Sequence, residues 1–168
     1  MIVSAGGIAP LVAMLHAEDG TGDEDQTLDM KEQATKTIRD LCFGDCGNQR
    51  PIAEKGGVPP LLNILSETSH PWSIREAAAE ALALLAKESA GGPAQEAITA
   101  ENGVVRMIAV HREVECTAEC KLPISHCLRN IAVFGPAKQQ MLQMGVLQPR
   151  ETRAAFRDPN ADPMALNL

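Results

Sequence analysis

Apolar residues recur at helical spacing through most of the chain, most clearly in residues 56–89. The double glycine Gly56–Gly57 suits a sharp corner, because glycine reaches positive φ without steric cost. Two prolines and three leucines then predict a short helix, since proline fits the first helical turn. After a polar break, Ser73 and Glu76 have the spacing of a capping box. An apolar stripe after them predicts a long helix, and its residues are Ile74, Ala78, Ala81, Leu82 and Leu85.

This unit recurs about every 45 residues. Each corner has an apolar residue four positions before it and another two positions after it, and the corner residues are Gly6, Gly56, Asn102 and Gly145. The stripe of the long helix recurs as Met30, Ala34, Thr37, Ile38 and Leu41, and again as Cys120, Ile124, Cys127, Leu128 and Ile131. A period of this length with two or three helices per unit is typical of a helical solenoid. We therefore predict an all-α fold.

Boundary signals divide the chain into repeats. The first long helix is predicted at 29–43, with Asp29 and Glu32 as its cap pair, and the third at 120–134, with Pro123 in its first turn. A fourth unit opens near residue 138 but loses its leucines after Leu147. We expect one repeat domain at 1–147, followed by a disordered tail at 157–168. Its repeats are expected at about 1–47, 48–93 and 94–136, with a partial one at 137–156.

The segments IVSAGGIAPLVAML, IAEKGGVPPLLNIL and HCLRNIA resemble armadillo repeats, and the resemblance covers about residues 1–147. Armadillo repeats have three helices each. The resemblance therefore implies a right-handed superhelix of about three repeats plus a degenerate fourth. Its third helices would line a concave groove that holds an extended peptide or a partner protein.

The resemblance also indicates which residues face that groove. In this family an asparagine of the third helix often holds the backbone of the bound peptide. The three matching positions of this chain are Asp40, Leu84 and Asn130, and only Asn130 keeps the asparagine. Nuclear-import receptors place tryptophans one turn earlier, where this chain has Lys36, Glu80 and His126. The chain is therefore not similar to a nuclear-import receptor in this respect. Trp72 precedes the second long helix and is expected to pack against that helix instead of lining the groove.

The predicted groove face carries both signs of charge and is not a strong electrostatic trap. Its residues are Lys36, Arg39, Asp40, Glu76, Glu80, Leu84, Lys87, His126, Arg129 and Asn130. Few residues of a binding surface carry most of the binding energy, so most of these side chains are expected to be simply solvated. Asn130 and Arg129 are the strongest candidates for contact with a partner.

Composition narrows the class of partner. The formal net charge is −7 and the sequence pI is about 5.1, which disfavours nucleic acid. No apolar run reaches the roughly 20 residues of a membrane span, and we expect no membrane association. Five cysteines, an odd number, fit reduced thiols inside a cell, in the cytoplasm or nucleus.

Two segments could bind metal. The acidic stretch 17–29 does not match an EF-hand loop, because Glu24 stands where glycine is required, so a solvated loop is favoured over calcium binding. The residues His111, Cys116, Cys120, His126 and Cys127 have the close spacing of zinc ligands. Cys120 and Cys127 occupy stripe positions, however, which favours a core role and no metal. Cys46 and Cys116 lie in predicted loops and are expected to be the more reactive thiols.

No catalytic motif or cofactor-binding motif occurs, so we predict a non-enzymatic scaffold that binds a partner protein. The alternative is a structural arm or assembly segment of a larger protein, such as a ligase or signalling subunit. The chain begins within a repeat, and we expect it to be part of a longer solenoid or a truncated product. That expectation predicts an exposed apolar N-terminal edge, available for self-association, at Ile2, Ile8, Leu11 and Leu15.

Overall fold

A computed structural model describes residues 6–16, 24–87 and 91–147, and these ranges contain nine α-helices, one 3₁₀ helix and no strand. The helices of the first half are α1 (Ile8–Leu15), α2 (Glu24–Gly44), the 3₁₀ helix Cys46–Asn48, α3 (Gln49–Glu54), α4 (Val58–Ser66) and α5 (Trp72–Leu85). The second half contains α6 (Pro93–Ala100), α7 (Gly103–His111), α8 (Ala118–Ile131) and α9 (Gly135–Gln143). The predictions for Ile2, for 17–23 and for 148–168 lie outside the described residues.

Helices from equivalent positions of successive repeats pack on one another. The long helices α2, α5 and α8 form one layer, α1, α4 and α7 form a second, and α3, α6 and α9 form a third. Because each repeat is covered by its neighbour, the apolar side of one unit is buried by the next. The prediction of an all-α helical solenoid is confirmed.

The four matched corners share one backbone conformation. The φ angle is +75° at Gly6, +79° at Gly56, +54° at Asn102 and +69° at Gly145. At three of the four corners the next residue is glycine for a different reason, since Gly57 has an ordinary φ of −71°, whereas Val146 follows Gly145. A Cβ atom added to Gly103 would lie 2.6 Å from the carbonyl oxygen of Ile98, closer than real Cβ atoms approach. The corner residue therefore supplies the turn, and the glycine after it leaves room for the backbone of the preceding helix.

The apolar stripes form the core, with one exception. All five stripe residues of α5 and all five of α8 are buried. In α2, Ala34 and Ile38 are buried and Thr37 and Leu41 are partly buried, but Met30 is 43% exposed. The prediction that Met30 belongs to the core is wrong. Within the described residues, α2 has a long helix on one side only, so its first turns are less covered than those of α5.

The predicted caps of α2 and α5 are wrong. Helix α2 begins at Glu24, so Asp29 lies inside the helix, and residues 24–29 are not part of a loop. Glu32 forms an ion pair with Lys36 at 2.6 Å. Helix α5 begins at Trp72 without a side-chain cap, and Glu76 accepts a hydrogen bond from the Thr117 hydroxyl at 2.7 Å. The Glu32 pair is local, at i,i+4 on one helix, whereas the Glu76 contact joins two repeats and could not be read from the local sequence pattern.

Helix α8 begins and ends earlier than predicted. The Thr117 hydroxyl caps it by accepting from the backbone N–H of Cys120 at 3.1 Å, and the helix starts at Ala118. Pro123 therefore lies in the second turn, not the first. The helix ends at Ile131, and Gly135 begins α9 instead of ending α8.

The N-terminal edge also differs from the prediction. Ile8 and Leu15 are buried, and Leu11 is partly buried against the core, because α1 packs against α2, α3 and α4. These side chains are core residues, so the expectation that they form an exposed apolar edge is wrong.

Buried polar side chains connect neighbouring helices and repeats. Gln49 and Gln95 occupy equivalent positions and donate to the carbonyl oxygens of Cys42 and Ala86, at 3.4 and 3.1 Å. These oxygens belong to the final turn of α2 and to the C-cap of α5, where no intrahelical donor is available. The amide therefore satisfies the same carbonyl in two successive repeats.

Arg75 is the most deeply buried cation of the described residues, with 3% of its side chain exposed. Its Nε donates to the carbonyl oxygen of Leu65 at 2.8 Å, and its Nη2 donates to both carboxylate oxygens of Glu113 at 2.9 Å. The guanidinium also lies 3.9 Å from the centre of the Trp72 ring. One side chain thus joins α4, α5 and the loop before α8.

We expect Gly103→Ala to lower the free energy of unfolding by about 1–3 kcal/mol, because the new Cβ would clash with the Ile98 backbone. The matched control is Gly135→Ala at the first residue of α9, where an added Cβ meets no atom within 4 Å. The control should leave stability unchanged or slightly raised. Urea unfolding followed by circular dichroism measures both, and equal stability of the two variants would contradict the proposed close approach.

We expect Glu113→Gln to cost about 1–3 kcal/mol, because it leaves the buried Arg75 guanidinium without a counter-charge. Glu54→Gln is the control, since Glu54 pairs with Arg50 at 2.8 Å on an exposed surface and should cost below about 0.5 kcal/mol. Urea unfolding compares the two variants. Losses of the same size would show that burial adds nothing to the Arg75 pair.

Candidate functional site

The exposed faces of the three long helices line an open groove with a volume of about 730 Å³. Helix α2 contributes Arg39, Asp40 and Phe43, and α5 contributes Glu80, Ala83, Leu84 and Lys87. Helix α8 contributes Glu119, Leu122, Pro123, His126, Arg129 and Asn130. The groove thus crosses all three helices of one layer, because equivalent helices of the repeats stack side by side.

The structure brings eight of the ten predicted site residues together in this lining. They are Arg39, Asp40, Glu80, Leu84, Lys87, His126, Arg129 and Asn130. Lys36 and Glu76 do not line it. Lys36 is held by Glu32 one turn earlier, and Glu76 is held by Thr117 of the next repeat.

Five lining residues were not predicted from the sequence, and two of them are exposed large apolar side chains. Phe43 is 82% exposed and Leu122 is 59% exposed. The other three are Ala83, Glu119 and Pro123. Helical spacing could have predicted both apolar residues. Phe43 follows Asp40 by three positions and Leu122 precedes His126 by four, so each lies on the same helix face as a predicted groove residue.

Charged side chains in the groove form a linked group at its first-repeat end. Arg39 donates through Nε to Oδ1 of Asp40 at 2.9 Å, and its Nη1 lies 3.4 Å from Oε2 of Glu80. Asp40 remains 68% exposed and Glu80 47% exposed. Both carboxylates are therefore accessible to a ligand while they hold Arg39 in place.

Asn130 is positioned by the neighbouring helices. Its side-chain nitrogen donates to the carbonyl oxygen of Ala83 at 3.2 Å, and its backbone carbonyl oxygen accepts from the Gln95 side chain at 3.4 Å. A carboxamide has two N–H donors and an acceptor oxygen. The contact with Ala83 fixes the orientation of this group at the groove.

Trp72 lies outside the groove lining. It is the first residue of α5, and its ring packs against the guanidinium of Arg75. Its contacts are those of a residue that holds the second repeat together.

All three cysteines of the His–Cys cluster are buried, and they are Cys116, Cys120 and Cys127. Cys120 and Cys127 are fully buried at their stripe positions, and burial raises the pKa of each thiol to about 12. Cys42 is likewise buried, with its pKa raised to about 12. Within the described ranges, no group of three or more His, Cys, Asp or Glu side chains is placed to hold a metal ion.

The prediction that Cys116 is a reactive thiol is wrong. Only 7% of the residue is exposed, and burial raises the pKa of its thiol above the ordinary value of 9.0. The loop before α8 folds inward at this point, although its sequence contains no apolar period. Cys46 is exposed, although it begins the 3₁₀ helix instead of lying in a loop.

No protein-family model matches the chain, and no curated protein matches its sequence. Among the described residues, no helix is both long enough and apolar enough to cross a membrane.

Solved structures do match. An engineered protein solved as a Northeast Structural Genomics Consortium target superposes with a TM-score of 0.69 and 26% identity, over 86% of this chain and 53% of the other. A designed armadillo repeat protein in complex with the peptide (KR)4 superposes with a TM-score of 0.68 and 17% identity, over 86% of this chain and 55% of the other. The chain spans about half the length of these structures. The fold is therefore an armadillo-like repeat solenoid.

We expect iodoacetamide at mildly alkaline pH to modify Cys46 in the folded protein and to leave the other four cysteines unmodified. The thiolate is the reacting form. Burial blocks the reagent and opposes ionisation of the thiol at Cys42, Cys116, Cys120 and Cys127. Peptide mapping by mass spectrometry measures the extent of labelling at each site. A urea-unfolded sample, in which all five react, is the control, and labelling of folded Cys116 as fast as Cys46 would contradict the burial described above.

Proposed function

We propose that this chain is a non-enzymatic scaffold that binds an extended segment of a partner protein along the groove of α2, α5 and α8. The observation that carries this proposal is the groove itself, which combines exposed apolar side chains with exposed charges on one rigid layer of helices. Phe43 is the main case, because it is 82% exposed. A partner that covered its ring would remove a large apolar surface from water.

The rigidity of the layer supports binding. Helix α5 packs between α2 and α8, and hydrogen bonds from Arg39 to Glu80, from Thr117 to Glu76 and from Asn130 to Ala83 join the three helices. A groove that is already held in one shape loses little conformational entropy of its own on binding.

The dimensions suit a short extended segment. Packed helices lie about 8–10 Å apart, so three helices span roughly 24–30 Å, and a strand that rises about 3.3 Å per residue crosses them with roughly seven to nine residues. The Asn130 carboxamide can exchange hydrogen bonds with a backbone of any sequence. The designed armadillo protein of the same fold, which was solved with the peptide (KR)4, supports a peptide as the type of partner.

We further propose an intracellular location, in the cytoplasm or nucleus. All five cysteines are free in the structure, as in proteins that remain in a reducing environment.

Peptides selected from a displayed random library against this protein should depend on the groove. We expect Phe43→Ala and Arg129→Glu each to weaken binding of a selected peptide at least tenfold, since removing an aromatic anchor or reversing a charge acts directly on contact residues. Phe43→Ala should not alter stability, because the side chain is mostly exposed. Isothermal titration calorimetry measures the dissociation constants.

The matched control is Val114→Ser, which removes an apolar side chain that is 99% exposed outside the groove lining. It should leave affinity unchanged. Selected peptides that bind both groove variants as tightly as they bind the unsubstituted protein would refute the proposal.

A further inference from the structure

We propose that the partner segment carries a large apolar residue with an acidic residue within two positions of it. The apolar side chain packs on Phe43 and Leu84, and the carboxylate pairs with Lys87. This inference rests on the proposed function, because it assumes that the groove of α2, α5 and α8 binds an extended chain. It adds the chemistry of the residues that the groove selects where α2 meets the end of α5.

Helices α2 and α5 point in the same direction. The Ser73 hydroxyl of α5 donates to Oε1 of Glu32 on α2, and these residues are 41 positions apart. Arg39 of α2 donates to Oε2 of Glu80 on α5, and these residues are also 41 positions apart. Because the separation in sequence stays constant along the contact, the two helices pack in parallel.

Phe43 therefore lies beside the end of α5. A separation of 41 positions pairs Phe43 with Leu84. The core stripes match Met30 of α2 with Ile74 of α5, which are 44 positions apart, and this match places Phe43 level with Lys87. Phe43 is 82% exposed and Leu84 is partly exposed, and both line the groove. They form an apolar patch that an apolar side chain of a partner would remove from water.

Lys87 lies at the edge of this patch and makes no ion pair with any described residue. It is exposed, and its backbone N–H donates to the carbonyl oxygen of Leu84 at 3.2 Å. The lining carboxylates of α2 and α5 are Asp40 and Glu80, and both contact Arg39 instead. The ammonium group beside the apolar patch is therefore available to a carboxylate of a partner.

The third lining carboxylate, Glu119 of α8, lies far from Lys87. The core stripes match Cys120 with Ile74, so Glu119 is level with Ser73. Ser73 precedes Lys87 by 14 positions, which is about 21 Å along a helix. Glu119 therefore cannot supply the counter-charge at the apolar patch.

The distance between the apolar patch and Lys87 sets the spacing of the partner's residues. Leu84 and Lys87 are three positions apart, which is about 4.5 Å along the helix axis. An extended chain rises about 3.3 Å per residue, and lysine has a flexible four-carbon stem. A carboxylate one or two positions from the apolar residue is then within reach of Lys87. The apolar contact also excludes water next to the ion pair, which strengthens the attraction between the charges.

The test uses nine-residue peptides displayed on phage, with every position random. We expect selection against the unsubstituted protein to enrich Asp or Glu within two positions of a large apolar residue. Selection against Lys87→Glu should enrich Lys or Arg there instead, because the charge that this residue faces is reversed. Lys55→Glu is the matched control, since Lys55 is an exposed lysine at the C-cap of α3, outside the groove lining. Peptides selected against the control should keep the acidic residue.

Calorimetry with one selected peptide measures the two contacts separately. We expect Lys87→Glu to weaken this peptide roughly tenfold, and replacement of the peptide's acidic residue by Lys to restore most of that loss. Replacement of the peptide's apolar residue by Ser should weaken binding to the unsubstituted protein roughly tenfold as well. Urea unfolding of Lys87→Glu should match that of the unsubstituted protein, because Lys87 is exposed. A loss of affinity that the charge exchange restores is not produced by a loss of stability.

The outcomes separate this inference from the proposed function. Selected peptides that lack the acidic residue, or that keep it against Lys87→Glu, overturn the inference. If those peptides still respond to Phe43→Ala and Arg129→Glu, the groove remains the binding site. Peptides that ignore all three substitutions overturn the inference together with the proposed function. Dimerisation detected by light scattering and abolished by Phe43→Ala would make a second copy of the chain the occupant of the patch, which also overturns the inference.

Discussion

The structure depends on one constraint, which is that no repeat can bury its own apolar side. Helix α5 shows this most clearly, because it lies between α2 and α8 and packs on α4 as well. Its alanines, Ala78 and Ala81 among them, are fully buried, and small side chains allow the helices on either side to approach closely. The core is therefore a continuous layer shared by the repeats.

Polar contacts between repeats then set how the units sit on one another. Apolar burial has no direction, but hydrogen bonds and ion pairs do. Arg75 is bound by Leu65 and Glu113, and Gln95 bonds to carbonyl oxygens of Ala86 and Asn130. Because each of these groups is buried, a shifted stacking would leave it without a partner, at a cost of about 1–3 kcal/mol each. The layer of long helices is held in one arrangement for this reason.

The groove is a consequence of that arrangement. Each long helix buries one stripe, and the opposite side of the layer has nothing packed on it within the described chain, so its side chains are free to be charged or apolar. Charges of both signs lie side by side on it, since Arg39 contacts Asp40 and Glu80.

The helical period, the corners and the core stripes could be predicted from the sequence alone. These features are local, since Gly56 and Asn102 set the backbone and residues such as Leu82 and Ile124 follow the helical repeat. Most of the groove residues could also be predicted, because Arg39, Glu80 and Asn130 lie at fixed helical offsets from the stripe. The partners of polar side chains depend on the tertiary structure. Glu76 has cap spacing but binds Thr117 of the next repeat, and Phe43 is exposed because none of the described residues covers its end of α2. Both outcomes depend on how neighbouring repeats pack, which no local pattern contains.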